Sequence, residues 1–501
     1  MGRGGEQTHA SDEARDILPG AAVAKRHPYL GKLTLDEVKR HRVPNDCWLV
    51  IKGKVYNVSG WGQHPGGNVI YTTGGEDATD VFAAFHAGAS TTWLKEFEIG
   101  EVDYAGTSEA LAPSSKQEKF EAAYRKLRAQ LLVDGMFKAS QWYYAQKMGH
   151  QVALLAFTFW VSANSAASWT LVTAASVLVA LFLQQSGWLC HDILHHQVFK
   201  DRRYGHMMGL VWGNLAQGFS ISWWMNKHNS HHAVPNLVES EADAADGDPD
   251  IDTMPFLAWS TQMFEQRRAT LEKSPAGRFL IRNQGAMYFP LLGFARVSWM
   301  IQGVQSAFGL EGGAWSTKNE AVAGGRKQGY PLGERIALTL HYVWYFVMAG
   351  CVGKAAFGAS GSIVLAVAQV AYFIAMSNIF TGLFLAVVFG LGHNGMSVYH
   401  ADDRPDFWQL QVSTTRNITG GKGIPQGFVD WFCGGLQYQV EHHLFPQIPR
   451  HNLPLVHDRV VKFCKDEGVS FTEADMVVGT VDVLKHLQKV SEEFIEHFPA
   501  L

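Results

Sequence analysis

Residues 187–196 read GWLCHDILHH, and this stretch ends a long apolar run with three histidines, His191, His195 and His196. Two later clusters resemble it: KHNSHH contains His228, His231 and His232, and QVEHH contains His442 and His443. Neutral imidazole is a good ligand for iron, copper, zinc and nickel. The three clusters therefore predict a metal centre close to the ends of membrane-length segments.

The composition narrows the class of protein. A chain of 501 residues is expected to form two or three domains. Mean hydropathy is only −0.05 although 47% of the residues are hydrophobic, so long apolar segments must alternate with polar ones. The net charge of −4, without a basic stripe, argues against a nucleic-acid partner. Five scattered cysteines indicate a reducing compartment, and no cleaved secretory signal is expected.

Residues 28–103 have the pattern of a small domain, preceded by a polar segment, residues 1–27, that is expected to be disordered. The run 47–51 and the run 55–58 predict a β-hairpin that turns at Gly53. His64 opens the sequence HPGG, in which two glycines allow close backbone approach, and a helix over 78–85 ends at His86. Either histidine alone would be explained by its turn or helix end.

Together, HPGG, GGEDATDVFAAFHAG and EFEIGEV resemble a cytochrome b5 domain. The resemblance implies a small α+β fold that binds haem b, with His64 and His86 as the axial ligands. A haem held by two imidazoles has no open position for oxygen and therefore serves electron transfer. The unit is acidic, which suits a basic partner, and we expect cytochrome b5 reductase to deliver electrons from NADH. Its acidic residues are Glu76, Asp77, Asp80, Glu96, Glu98, Glu101 and Asp103.

Residues 104–117 predict a flexible linker, and residues 118–501 predict a helical membrane domain. Four spans are expected, at about 143–163, 169–189, 336–356 and 363–391. Basic residues flank only the outer ends of the first two spans, so those ends are expected to face the cytosol. Two crossings separate the second cluster from the third, which places all three clusters on the cytosolic side with the haem domain.

The spacing of the polar ligands suits two metal ions. His191 and His195 are four residues apart and share a helix face, but His196 is an equally available ligand at this stage. His393, at the end of the fourth span, and Gln439, three residues before His442, are further candidates. Zinc has no redox chemistry, and no side-chain base removes a proton from an unactivated methylene. An electron-carrying haem beside redox metals and lipid therefore predicts a lipid oxidase.

The boxes HDILHH, KHNSHH and QVEHH, together with the HPGG unit, resemble a front-end fatty acid desaturase over nearly the whole chain. The surrounding sequence is similar to Δ6 acyl desaturases of algae, diatoms and fungi. The resemblance implies a cytosolic cap with two non-haem irons over four transmembrane helices in the endoplasmic reticulum. It also implies O2 as co-substrate and a cis double bond at carbon six of an eighteen-carbon polyunsaturated chain such as linoleic or α-linolenic acid. The implied iron ligands are His191, His195, His196, His228, His231, His232, His393, Gln439, His442 and His443.

Several alternatives remain open at this stage. Δ5, Δ8 or Δ4 regioselectivity and a di-iron lipid hydroxylase share these motifs, and the acyl carrier is either coenzyme A or a phospholipid. A membrane-anchored electron carrier and a zinc-dependent hydrolase are more distant readings. Asp192 and Glu441 are candidates to orient neighbouring imidazoles, whereas a turn at Gly247 and Pro249 accounts for the acidic residues of the segment 246–252.

Overall fold

A computed structural model describes residues 27–499, except for residues 63, 87–92, 241–245, 311–330 and 401–402. The N-terminal segment predicted to be disordered lies outside the described residues, apart from His27.

The amino-terminal unit is a five-stranded mixed sheet with short helices. Its elements are β1 (Gly31–Leu33), α1 (Leu35–Val38), β2 (Arg42–Val43), β3 (Asp46–Ile51), β4 (Lys54–Asn57), a 3₁₀ turn (Gly67–Tyr71), α2 (Thr79–Phe85), a second 3₁₀ turn (Trp93–Glu96) and β5 (Glu98–Val102). The strand order is β1-β5-β4-β3-β2. β1 and β5 are parallel, and the other neighbours are antiparallel.

The predicted hairpin is confirmed, since β3 and β4 pair in antiparallel register with Ile51 opposite Lys54. Lys52 and Gly53 form the turn, with φ angles of 52° and 74°. Positive φ at both central residues is the condition for a type I′ turn, whose twist matches that of the strands. The hairpin positions the apolar side chains of Leu49 and Ile51 in the core of the sheet unit.

The remainder of the described chain is mainly helical. Its first half contains α3 (Ser115–Val133), α4 (Gln141–Ala163), α5 (Trp169–Leu194), α6 (Arg202–Gly209), a π-helix (Leu210–Gln217), α7 (Ile221–Ala233), β6 (Leu237–Val238), α8 (Thr261–Gln266), α9 (Arg268–Glu272), α10 (Pro275–Arg282), α11 (Gln284–Leu292) and α12 (Ala295–Phe308). Its second half contains α13 (Pro331–Ser360), α14 (Ile363–His393), β7 (Tyr399–His400), α15 (Phe407–Ser413), β8 (Asn417–Thr419), α16 (Gln426–Cys433), α17 (Gln439–Leu444), a 3₁₀ turn (Arg450–Asn452), α18 (Leu453–Asp466), β9 (Glu473–Asp475) and α19 (Met476–His497).

Three helices among the described residues are long and apolar enough to cross a membrane: Trp169–Leu194, Leu332–Ser360 and Ile363–His393. They contain the second, third and fourth predicted spans. The first predicted span lies in α4, which has 23 residues but is not among the three, so the predicted count of four is not confirmed. α4 nevertheless packs along α5 and α13 as a fourth long helix.

The sheet unit packs directly on the helical part. Val69 and Val81 share an apolar cluster with Ala233, Val234 and Leu237 at the end of α7. Ion pairs border this cluster: the Arg125 Nε–Asp80 Oδ1 distance is 2.8 Å, and the Arg404 Nη1–Glu76 Oε2 distance is 3.0 Å. The stretch predicted as a linker also contacts the sheet unit, where the Ser108 N–H donates to the Asp36 carboxylate at 2.7 Å.

Candidate metal centre and haem pocket

The three histidine clusters meet at one end of the long helices. The ligand nitrogens of a first group all lie within 4.8 Å of one another; the group comprises His191, His195, His228, His232 and His442. A second group, His231, His393 and His443, satisfies the same distance. The two groups adjoin, since the His232 and His443 rings stack with centroids 4.1 Å apart.

Helix periodicity explains how neighbouring histidines divide between the groups. His228 and His232 lie one turn apart on α7 and enter the first group, whereas His231 faces the second. His191 and His195 lie one turn apart at the end of α5 and therefore share a face.

Burial keeps the imidazoles in the neutral form that binds metal. Burial lowers the pKa of His228, His232 and His442 well below the ordinary value, and neighbouring imidazoles lower it further. Although burial also opposes the charged form of His231, the Asp248 carboxylate raises the pKa of that histidine. The Nε2 atoms of His195 and His228 lie 2.9 Å apart, and those of His231 and His393 lie 3.3 Å apart.

The donor set fits a pair of metal ions. The buried Nε2 atoms of His191, His442 and His443 have no hydrogen-bond partner among the described residues. Gln439 Nε2 lies 2.6 Å from His393 Nε2, which brings the amide to the second group. Buried nitrogens are rarely left without a partner, and an ion is one standard explanation. Eight imidazoles in two adjoining groups are enough for two ions of the kind that prefer nitrogen ligands.

Several side chains orient these imidazoles through the opposite ring nitrogen. His191 Nδ1 lies 3.2 Å from the Asp192 carboxylate, as proposed from the sequence. His443 Nδ1 lies 2.9 Å from Gln411 Oε1, a partner that the sequence did not suggest. Asp192 is itself buried, and it accepts hydrogen bonds from the Arg450 guanidinium at 2.5 Å and the Tyr144 hydroxyl at 2.8 Å.

Two acidic residues differ from their predicted roles. Asp248 forms part of a turn, as expected, because its Oδ1 accepts from the Asp250 N–H at 2.8 Å. Its Oδ2, however, lies 2.8 Å from His231 Nδ1, so Asp248 also orients a histidine of the second group. Glu441 instead lies 2.7 Å from His457 Nδ1 and accepts from Asn417, away from both groups.

His196 is separate from both groups of histidines. Its backbone is left-handed, with φ at 57°, and its ring lines a pocket in front of the sheet unit. Of the two histidines between which the sequence left the choice open, the structure places His195, and not His196, in a converging group. His195 joins the first group, and the next residue turns away from it.

The pocket that His196 lines contains the two histidines predicted to bind haem. The His64 and His86 rings both line the pocket, with centroids 6.0 Å apart and ring planes inclined at 52°, a separation at which both imidazoles could hold one iron. His64 Nδ1 lies 3.2 Å from Gly67 O, and His86 Nδ1 lies 3.0 Å from Phe82 O. These contacts leave both Nε2 lone pairs available. Burial lowers the pKa of His64 to about 4 and that of His86 to about 3.

The two glycines of HPGG are required by close approaches. A Cβ on Gly66 would lie 2.8 Å from His64 Cε1. Gly67 has a φ of 80°, and a Cβ there would lie 2.4 Å from the side-chain oxygen of Asn226 on α7. The same oxygen accepts from the Asn68 N–H at 2.8 Å. Glycine therefore permits both the haem-side geometry and the docking of the helical part.

The pocket and the metal centre are adjacent. His195 belongs to the first histidine group and also lines the pocket. Phe85, next to His86, meets the His232 ring edge to face with centroids 6.4 Å apart. Neutral, buried imidazoles therefore connect a site suited to an electron carrier with a site suited to redox metals.

Comparison with known proteins agrees with this geometry. The family pattern described as Fatty acid desaturase matches residues 167–474, and that described as Cytochrome b5-like Heme/Steroid binding domain matches residues 34–103. The chain belongs to the fatty acid desaturase family. An acyl-lipid (9-3)-desaturase of Physcomitrium patens is 38% identical, covering 92% of this chain and 79% of the relative.

Two further relatives are desaturases with different names. The Delta(6)-fatty-acid desaturase of Caenorhabditis elegans is 31% identical, covering 86% of this chain and 92% of the relative. The Delta(8)-fatty-acid desaturase of Euglena gracilis is also 31% identical, covering 85% of this chain and 91% of the relative. This desaturase is therefore an oxidoreductase with a fused b5-like domain. Its family implies a di-iron centre, and the fused domain implies haem.

Adjacent histidines provide a direct test of the metal centre. We expect His195→Ala to lose most of the bound non-haem iron, because the substitution removes one of the five ligand nitrogens that converge in the first group. We expect His196→Ala to retain the parent content of non-haem iron, because its ring faces the pocket and not the histidine groups. Non-haem iron per chain, obtained by mass spectrometry of the purified proteins after the haem iron measured by absorbance is subtracted, decides between them. Equal losses, or a loss only in His196→Ala, would contradict the assignment.

The buried Arg450–Asp192 pair has a testable energetic role. Arg450→Met leaves the Asp192 carboxylate buried without its cation, and such losses lower the free energy of unfolding by about 3–5 kcal/mol. Arg459 pairs with Asp134, but both side chains are 43% exposed. Arg459→Met should therefore change the free energy of unfolding by less than about 1 kcal/mol. Thermal or denaturant unfolding of the two variants in detergent measures the difference. Similar destabilisation of both would show that the buried pair has no special role.

Proposed function

We propose that this chain is a front-end desaturase that uses O2 to form a cis double bond at carbon six of an eighteen-carbon polyunsaturated acyl chain. The new bond lies between the carboxyl end and an existing double bond, as in linoleic or α-linolenic acid. One observation carries the proposal: eight converging imidazoles adjoin a pocket with two facing histidines. A pocket suited to an electron-carrying haem, next to a site suited to redox metals, favours oxygen-dependent redox chemistry. Hydrolysis needs no supply of electrons.

Each side chain in the proposed centre has a defined task. Two irons bound by the histidine groups would supply an oxidant for an unactivated methylene, and haem b would supply electrons. Acid–base catalysis alone does not reach such a C–H bond. We assign His64 and His86 to the haem. To the irons we assign His191, His195, His228, His231, His232, His393, His442 and His443, with Gln439 beside His393.

The surrounding residues fix ligand geometry and exclude water. Asp192, Asp248 and Gln411 each hold the Nδ1 side of an imidazole, which leaves the Nε2 side towards the proposed irons. Trp224 stacks on His228 with ring centroids 4.2 Å apart, so an apolar surface covers part of the site. A dry site of fixed ligands favours reaction at the substrate over loss of oxidising equivalents to solvent.

We propose that NADH supplies electrons through cytochrome b5 reductase. Three acidic residues of the sheet unit form ion pairs within the chain: Asp80 and Glu76 pair with arginines of the helical part, and Glu98 pairs with Lys54. Glu96 and Glu101 are exposed and remain available to a basic partner. The proposed reductase surface therefore lies around β5, away from the docked face.

We also propose four membrane crossings in the endoplasmic reticulum, with the haem domain (28–103), the connecting stretch (104–117) and the metal-bearing end of the desaturase domain (118–501) arranged on the cytosolic side. Contacts at the start of α4 support the fourth crossing. The Gln141 amide donates to Val198 O at 2.7 Å, close to the histidine end of α5. The next helix, α5, begins at the end opposite to its histidines, so α4 extends along the whole of α5 to reach it. The 23 residues of α4 span about 35 Å. That length suffices for a hydrocarbon core of about 30 Å.

Expression in yeast supplied with linoleic and α-linolenic acids tests the proposed reaction. We expect new fatty acids with a cis double bond at carbon six, located by gas chromatography and mass spectrometry of derivatised double bonds. His231→Ala, which removes a histidine of the second group, should abolish them.

Each other product contradicts a defined part of the proposal. A hydroxylated chain would contradict desaturation and support a di-iron hydroxylase. A new bond at carbon five or eight would contradict Δ6 selectivity while retaining front-end desaturation. The name of the Delta(8) relative makes this a concrete alternative. Distribution of product between the acyl-CoA and phospholipid pools identifies the acyl carrier.

A further inference from the structure

One wall of the haem pocket belongs to the helical part of the chain. The sheet unit contributes a mostly apolar lining that includes Leu49, Val69 and Phe82. The other wall comes from the end of α5, the segment that follows it and α6; its lining residues include Leu194, His195, His196, Arg202 and His206. The pocket is therefore completed only when the two parts are docked.

The two walls differ in the chemistry that they offer. Haem b has a large apolar ring, which suits the sheet-unit lining, and two carboxylates that are ionised at neutral pH. Buried carboxylates require charged or hydrogen-bonding partners. Among the residues that the structure describes, Arg202 is the only lysine or arginine that lines this pocket. The cation is thus on the helical wall.

The position of Arg202 is fixed by its helix. It is the first residue of α6, which the Asp201 side chain caps, and His206 follows one turn later on the same face. Arg202 and His206 both line the pocket that contains His64 and His86.

His196 adds a further nitrogen-bearing side chain to this wall. Its left-handed backbone is a sterically disfavoured conformation for a residue other than glycine. The buried Nδ1 has no hydrogen-bond partner among the described residues. Outliers of this kind concentrate at functional sites, where the surrounding structure holds them. Here the turn leaves His195 between the metal centre and the pocket and directs His196 into the pocket.

We propose that Arg202, together with His196 and His206, forms a binding subsite for the carboxylate groups of the haem. This inference rests on the proposed haem site at His64 and His86. The helical part then holds the haem directly, and haem occupancy strengthens the docking of the two parts. This subsite lies on the segment that also carries His195 of the metal centre.

Haem loss from the full-length protein tests this subsite. Haem transfer from detergent-solubilised protein to apomyoglobin is followed by absorbance. We expect Arg202→Ala to accelerate loss by about tenfold or more, the effect of removing a charge-assisted hydrogen bond. Arg202→Lys should lie between this variant and the parent, because lysine keeps the charge without the planar fork. Arg203→Ala is the matched control, since Arg203 is exposed and pairs with Asp201.

The haem midpoint potential provides a second, independent readout. We expect it to fall in Arg202→Ala, because loss of a nearby cation favours the ferric state, and to be unchanged in Arg203→Ala. Non-haem iron content should equal that of the parent in both, which excludes general misfolding. Identical haem loss and potential in Arg202→Ala and Arg203→Ala would overturn the proposal. Neither measurement requires turnover, so both report on the subsite even if the yeast assay shows no desaturation.

Discussion

The structure depends on the convergence of neutral imidazoles from α5, α7, α14 and α17. Each helix contributes only one or two histidines to a group, so no local segment forms the centre alone. Burial disfavours the imidazolium form and keeps lone pairs available. Asp192, Asp248 and Gln411 then select the orientation of individual rings. The shared histidine centre consequently fixes the relative positions of the helix ends that supply its ligands.

This constraint also determines where the b5-like domain sits. Gly67 allows Asn226 to approach the HPGG turn, and Phe85 reaches the His232 ring. The docked domain therefore brings its facing histidines next to the metal groups without a long intervening loop. His195 belongs to the first histidine group and also lines the pocket, whereas the next residue, His196, lines the pocket and belongs to neither group. The two sites therefore adjoin at His195.

Much of this arrangement could be predicted from local sequence, and the remainder depends on tertiary contacts. The hairpin at Gly53 and the division of α7 histidines by helical spacing follow from periodicity and turn chemistry. The roles of Asp248 and Gln411 do not follow from local sequence. Gln411 is 32 residues from its partner His443, and a turn alone is a sufficient explanation for Asp248 in the sequence. His196 could not be separated from His195, since only the left-handed backbone at 196 distinguishes them. The first of the four predicted spans is not confirmed for a physical reason: α4 mixes apolar residues with Lys147 and several amides.

The central claim is that the clustered imidazoles bind two iron ions. Metal analysis of the purified protein combined with iron X-ray absorption spectroscopy tests it most directly. The account predicts two irons per chain beyond the haem iron, with nitrogen-rich coordination and no sulfur ligands. Zinc in place of iron, a single non-haem metal per chain, or sulfur coordination would contradict it.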